Sequence, residues 1–251
     1  MKEILTIGEQ LLRTTVLINI KNKDSLTSGT GFLFYSHKNI FLVTNRHVVE
    51  DSKEIELKFY GQDDFLVIKN NFITSLQYDI AICILNDIPS SAKTLTPNQI
   101  PNRKQVENFD AIEDILFIGY PTGIYDTYNN SPIARKGITA TPISLNYEGK
   151  YQFLIDASIF PGSSGSPVFL IKYLKSTSKK IIQVFLLGII TEGYSYGNSI
   201  KNSFSPPPIP IIISKQMINL GLVIKSSELI KLINDLSLIH ISEPTRLRCI
   251  S

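Results

Sequence analysis

Short apolar runs, interrupted by Gly, Pro, Asn and Asp, recur along the whole chain. The first set lies at 15–20, 31–35, 40–44, 54–59, 65–68 and 80–85. Each is rich in the branched and aromatic residues that pack well on a pleated surface, so each predicts a strand. A polar, proline-containing stretch over 86–110 reads as a connector. A second set of runs follows at 115–118, 133–140, 152–155, 167–171, 181–190 and 220–224. Helical spacing is confined to the ends. Ile4, Leu5, Ile7, Leu11 and Leu12 predict a short amphipathic helix over 3–13. Leu229, Ile230, Leu232 and Ile233 follow a capping Ser226 or Ser227 and predict a closing helix over 226–235. Two clusters of about six short strands, split by one connector, predict an all-β chain. Its expected architecture is two six-stranded antiparallel β-barrels, over about 10–95 and about 110–225, with a C-terminal helix. No internal repeat or heptad is visible, and the proline run at 206–210 reads as a rigid surface loop.

At 251 residues and 43% hydrophobic, the chain can bury one or two cores without disulfides or metals. Its formal charge of +3 is too small and too dispersed for a nucleic-acid surface. The densest basic spots, Lys21 with Lys23 and Lys179 with Lys180, read as solvated hairpin tips. Glu3, Glu9 and Arg13 interrupt the N-terminal apolar residues, so no export signal is expected there. The apolar runs at 184–190 and 209–213 are too short to span a bilayer. The expectation is a soluble cytoplasmic protein without a membrane partner.

The tail needs separate treatment. Leu236 to Arg246 reads L-S-L-I-H-I-S-E-P-T-R, which resembles the in-frame translation of the transposase adapter used in sequencing libraries. On that reading 236–251 is not native, the domain is 1–235, and any downstream regulatory domain would be missing. A genuine disordered tail is the alternative. Without the tail, His37, His47 and one cysteine, Cys83, remain. A lone cysteine fits a reducing compartment, and so few ligands argue against a metal site. Gly29-Thr30-Gly31 lacks the Lys and helix of a phosphate-binding loop, so no cofactor is expected either.

Three motifs carry chemistry. Pro161-Gly162-Ser163-Ser164-Gly165-Ser166-Pro167 can expose a serine at a tight turn, with glycines that let a substrate carbonyl approach the main chain. Ser164 is the candidate nucleophile, and the amides of Gly162 and Ser164 are the candidate oxyanion hole; the competing reading is a plain Gly/Ser turn. Thr44-Asn45-Arg46-His47-Val48-Val49 follows an apolar strand that can hold His47 rigidly as a general base. His37 has no comparable setting. Tyr78-Asp79-Ile80-Ala81-Ile82 places Asp79 at the mouth of a buried strand, where it is costly unless hydrogen-bonded. The imidazole N–H of His47 would be its partner. Asp63 and Asp87 lead into no such strand. An α/β-hydrolase is rejected, because its second motif glycine falls at Ser166 and the order here is His, Asp, Ser.

In this order and with these neighbours, the motifs resemble the trypsin-like serine proteases, in particular bacterial members near the high-temperature-requirement family. The family patterns T-N-x-H-V-V, D-x-A and G-x-S-G-[GS]-P match 44–49, 79–81 and 162–167. Ile118-Gly119-Tyr120-Pro121 and the run 219–224 extend the likeness, which covers about 10–235. The resemblance implies a chymotrypsin fold, a serine endopeptidase working on polypeptides through an acyl-enzyme, and a His47–Asp79–Ser164 triad. It also implies that the oxyanion hole does not depend on N-terminal cleavage, since digestive relatives carry an Asp where this chain has Ser163. Carried over by position, the base of the substrate pocket is Ser158, and the wall strand runs through Ile190, Thr191 and Glu192. A serine base implies a neutral or apolar side chain before the scissile bond; Glu192, if it points inward, would favour a basic one. Two further expectations stand beside the enzyme: a silent binding module on the same fold, and the effector end of a larger stress or defence protein.

Overall fold

Apolar runs without polar alternation need burial on both faces. The fold supplies it by placing one cluster inside each half of the molecule and a further cluster between the halves. The computed structural model describes residues 5–22, 25–50, 52–175, 180–197 and 215–242. The first half comprises α1 (Ile7–Leu12), β1 (Thr15–Asn22), β2 (Ser25–Ser36), β3 (Asn39–Thr44), α2 (Arg46–Val49), β4 (Glu54–Phe59), β5 (Leu66–Lys69), β6 (Ile73–Thr74) and β7 (Ala81–Leu85). The second has α3 (Arg103–Glu107) in the connector, then β8 (Asp114–Gly119), β9 (Ile133–Thr139), β10 (Gln152–Asp156), β11 (Pro167–Lys175), β12 (Lys180–Gly197) and β13 (Lys215–Lys225). It ends in α4 (Ser226–Ser242).

The second half closes into a six-stranded barrel in the order β10-β13-β12-β11-β8-β9. The first half departs from the expected barrel. It is an open, curled sheet of seven strands, β5-β4-β1-β2-β3-β7-β6. Its edges explain why. β6 is two exposed residues, and Val67 in β5 is 54% exposed. Joining these edges would bury little apolar surface, so nothing drives closure.

The strands around the site alternate between two cores. Leu33 and Leu42 point into the first sheet, while Phe32, Phe34, Phe41 and Val43 point outward. Across the junction they meet Ile118, Phe169, Leu186 and Ile224 of the barrel. Helix α4 sits on the same cluster through Leu229, Ile233 and Leu236, one stripe at helical spacing. Because Leu236 continues that stripe and is 8% exposed, the helix runs seven residues past the expected end at 235. No described helix is long and apolar enough to cross a membrane. The proline run at 206–210, Lys23, Lys179 and the tail beyond 242 lie outside the described residues.

Candidate active site

His47 stands on α2, a single turn that begins where β3 ends. Asn45, fully buried, occupies the cap position of that turn but does not cap it. Its Nδ2 instead donates to the Asp79 carbonyl oxygen (2.7 Å), tying the histidine turn to the segment leading into β7. The tie brings two groups to one carboxylate. The His47 amide donates to Asp79 Oδ1 (3.0 Å), and the ring Nδ1 meets Asp79 Oδ2 at 2.5 Å. An ionised carboxylate only accepts, so Nδ1 carries the proton and Nε2 is left as the acceptor.

Thr191, on β12, adds a third donor to Asp79, from Oγ1 to Oδ2 at 2.7 Å. Burial pushes the Asp79 carboxyl up, but the bonds from the His47 ring, the Thr191 hydroxyl and the His47 amide hold it below the usual carboxylate range. The same ring contact raises His47 above the ordinary imidazole value, against burial and with help from the charges of Asp79, Glu50 and Glu192.

Ser164 lies on the turn that precedes β11. Gly162 and Gly165 both have φ of +86°, the left-handed region that favours glycine. Space excludes other residues as well. A Cβ on Gly165 would collide with the Thr30 carbonyl oxygen, and one on Gly162 would sit 2.5 Å from the Tyr120 carbonyl oxygen. Ser163, the residue before Ser164, is 1% exposed and closes the turn on itself. Its amide donates to the Phe160 carbonyl (3.0 Å), and its hydroxyl accepts from the Phe160 amide (3.4 Å). The amides of Gly162 and Ser164 donate to nothing among the described residues. The turn thus presents two free N–H groups beside the Ser164 hydroxyl.

Thr30 fixes this turn. Its hydroxyl accepts from the Tyr120 amide (3.0 Å) and donates to the Gly162 carbonyl (2.8 Å). Its own amide donates to the Ser164 carbonyl (3.0 Å), and its carbonyl accepts from Thr44 Oγ1 (2.7 Å). The sequence excludes a phosphate-binding loop at Gly29-Thr30-Gly31 and by itself assigns the run no role. A hydroxyl between two glycines was the available signal, but its partners lie 90 and 132 residues away.

His47, Asp79 and Ser164 line one cleft of about 390 Å³. In this state the Ser164 hydroxyl donates to the Thr191 carbonyl oxygen (3.3 Å), and no hydrogen bond joins it to His47. Thr191 therefore touches both the acid and the serine. The expected pocket residues are split. Thr191 and Glu192 line the cleft, whereas Ile190 is fully buried inside the barrel and Ser158 lies outside the lining. Ile159 takes the place assigned to Ser158, packed close to Gly193 and Gly221. A bulge between Ile190 and Glu192 shifts the wall strand by one residue, which is why the phase differs. A larger hollow, about 570 Å³ between α3 and the start of α4, contains Arg103 and Lys225 but no histidine. The candidate residues His47, Asp79 and Ser164 line the smaller one.

Residues 29–172 match the family described as trypsin-like peptidase domain. This chain belongs to the trypsin-like peptidase domain family. The trypsin-like domain is similar to Protease Do-like 2, chloroplastic, of Arabidopsis thaliana, at 26% identity over 59% of this chain. It spans only 23% of that relative's length. Among solved structures it resembles the serine endoprotease from Yersinia pestis, at 21% identity and TM-score 0.51, covering 93% of this chain and 68% of the other. It also resembles the HtrA-type protease AlgW with a tripeptide, at 16% identity and TM-score 0.56, covering 92% of this chain and 64% of the other. At such identities the two structures speak for the fold alone.

Proposed function

We propose that this trypsin-like peptidase domain is a serine endopeptidase in which His47 is the general base, Asp79 its orienting acid and Ser164 the nucleophile. One observation carries the reading. An imidazole fixed through Nδ1 by a half-buried carboxylate shares a cleft with a serine flanked by two amides unpaired among the described residues.

Rotation about the Ser164 Cα–Cβ bond moves its hydroxyl off the Thr191 carbonyl and toward His47 Nε2. Such contacts commonly tighten only when substrate is bound. Oγ then attacks the scissile carbonyl carbon while Nε2 takes its proton. The amides of Gly162 and Ser164 hold the oxyanion. Collapse breaks the C–N bond, His47 returns the proton to the leaving amine, and water repeats the sequence on the acyl-enzyme. Peptide entry has a structural route. β11 pairs with β12 only as far as Pro167–Ile189, so Thr191 to Gly193 offer an unpaired edge on that side. An extended peptide can add there as a strand. The closed Ser163 turn supports competence without N-terminal trimming.

Hydrolysis of fluorescent casein by the whole chain and by Ser164→Ala tests the proposal. Loss of about five to six orders of magnitude in the variant is expected. Equal slow hydrolysis by both would leave the silent binding module as the better reading.

A further inference from the structure

The cleft carries one ionisable side chain that the steps above leave idle. Glu192 follows Thr191 in β12, is exposed, and makes no hydrogen bond or ion pair among the described residues. Its charge reaches the site, since it contributes to the upward shift of His47. The other anions nearby are engaged. Asp79 holds the ring and the Thr191 hydroxyl, and Glu50 lies 3.7 Å from the Arg46 guanidinium. No Lys or Arg lines the cleft. Arg135, the cation near its rim, sits over the Phe160 ring at 5.1 Å and stays outside the lining. The remaining walls are apolar: Ile159, Phe160, Pro161 and Met217. A peptide lying along the edge from Thr191 to Gly193 must pass Glu192.

We infer that Glu192 sets the substrate preference of this site, drawing peptides that carry a Lys or Arg within a few residues of the scissile bond, beside an apolar residue held against Ile159 and Met217. The inference rests on the reading of the cleft as a peptide-cleaving site. An unpaired carboxylate on the path of the substrate attracts a cation and repels an anion, and both effects act on the same ratio. Each supplies up to a severalfold factor at an exposed position, so a Lys peptide is favoured over its Glu counterpart by about tenfold.

Sequencing the new termini in a digested, denatured protein mixture tests this. Wild type is expected to enrich Lys and Arg, and deplete Asp and Glu, at one position close to the cut. Glu192→Gln should flatten that position, and Glu192→Lys should invert it. An unchanged profile in Glu192→Gln overturns the assignment. Binding gives an independent reading. Two fluorescein-labelled heptapeptide pools, differing only in one Lys against one Glu, are titrated against Ser164→Ala. The Lys pool should bind about tenfold tighter, with the gap closing in added salt as screening requires. Equal affinities overturn the inference. A chain that cuts without charge preference loses Glu192 alone. One that binds with the preference but yields no termini keeps Glu192 and loses the peptidase mechanism.

Discussion

Asp79 depends on three donors, and each can be removed separately. Asp79→Asn keeps the shape but no longer selects the Nδ1–H tautomer, so kcat should fall by about four orders of magnitude. Thr191→Val leaves the ring contact and removes one bond, so a smaller loss is expected, on the order of tenfold, read against Thr191→Ser as a rescue. The pH dependence follows from the directions of the shifts. The base works only when neutral, and its pKa is raised above the ordinary 6.5 by the Asp79 contact. The acid limb of kcat/KM should therefore lie above 6.5, and Thr191→Val should move it. For stability the two signs combine. The raised His47 contributes fully below 6.5 and fades as pH rises through its folded value. The lowered Asp79 contributes above 3.8 and fades as pH falls through its folded value. The pair thus stabilises most between 3.8 and 6.5, which denaturant titrations at several pH values will report.

Among the elements, the turn at 161–166 is the least forgiving. Gly165→Ala meets both a left-handed φ and the Thr30 carbonyl, so it should cost about 3 kcal/mol and abolish labelling by active-site reagents. Thr30→Val removes the link between the Tyr120 amide and the Gly162 carbonyl while keeping size. It should lower kcat more than it raises KM, because the oxyanion donors lose their fixed position. How much of this was legible depended on distance along the chain. His47, Asp79 and Ser164 each sit in a local motif, so strand ends and glycines mark them as candidates. Thr30 does not, since its role exists only after the two halves meet. The phase of the wall strand was illegible for another reason: a one-residue bulge lies between Ile190 and Glu192, and nothing local marks it. The open edge of the first sheet escaped similarly, because a two-residue strand such as β6 leaves no periodic trace.

Across the whole molecule, the cluster between the halves controls whether the site exists. His47 and Asp79 come from the first sheet and Ser164 and Thr191 from the barrel, so their alignment follows the packing of Phe32, Phe34 and Val43 on Ile118, Phe169 and Ile224. Helix α4 covers that junction. Leu229→Ala, fully buried there, should cost about 2–5 kcal/mol and lower activity together with stability in one cooperative transition. The most direct measurement is mass spectrometry of the intact folded chain after reaction with a fluorophosphonate. One adduct, on Ser164, absent from His47→Ala and slower in Asp79→Asn, is the predicted result. A folded chain that forms no adduct, or carries it on another residue, would contradict the account.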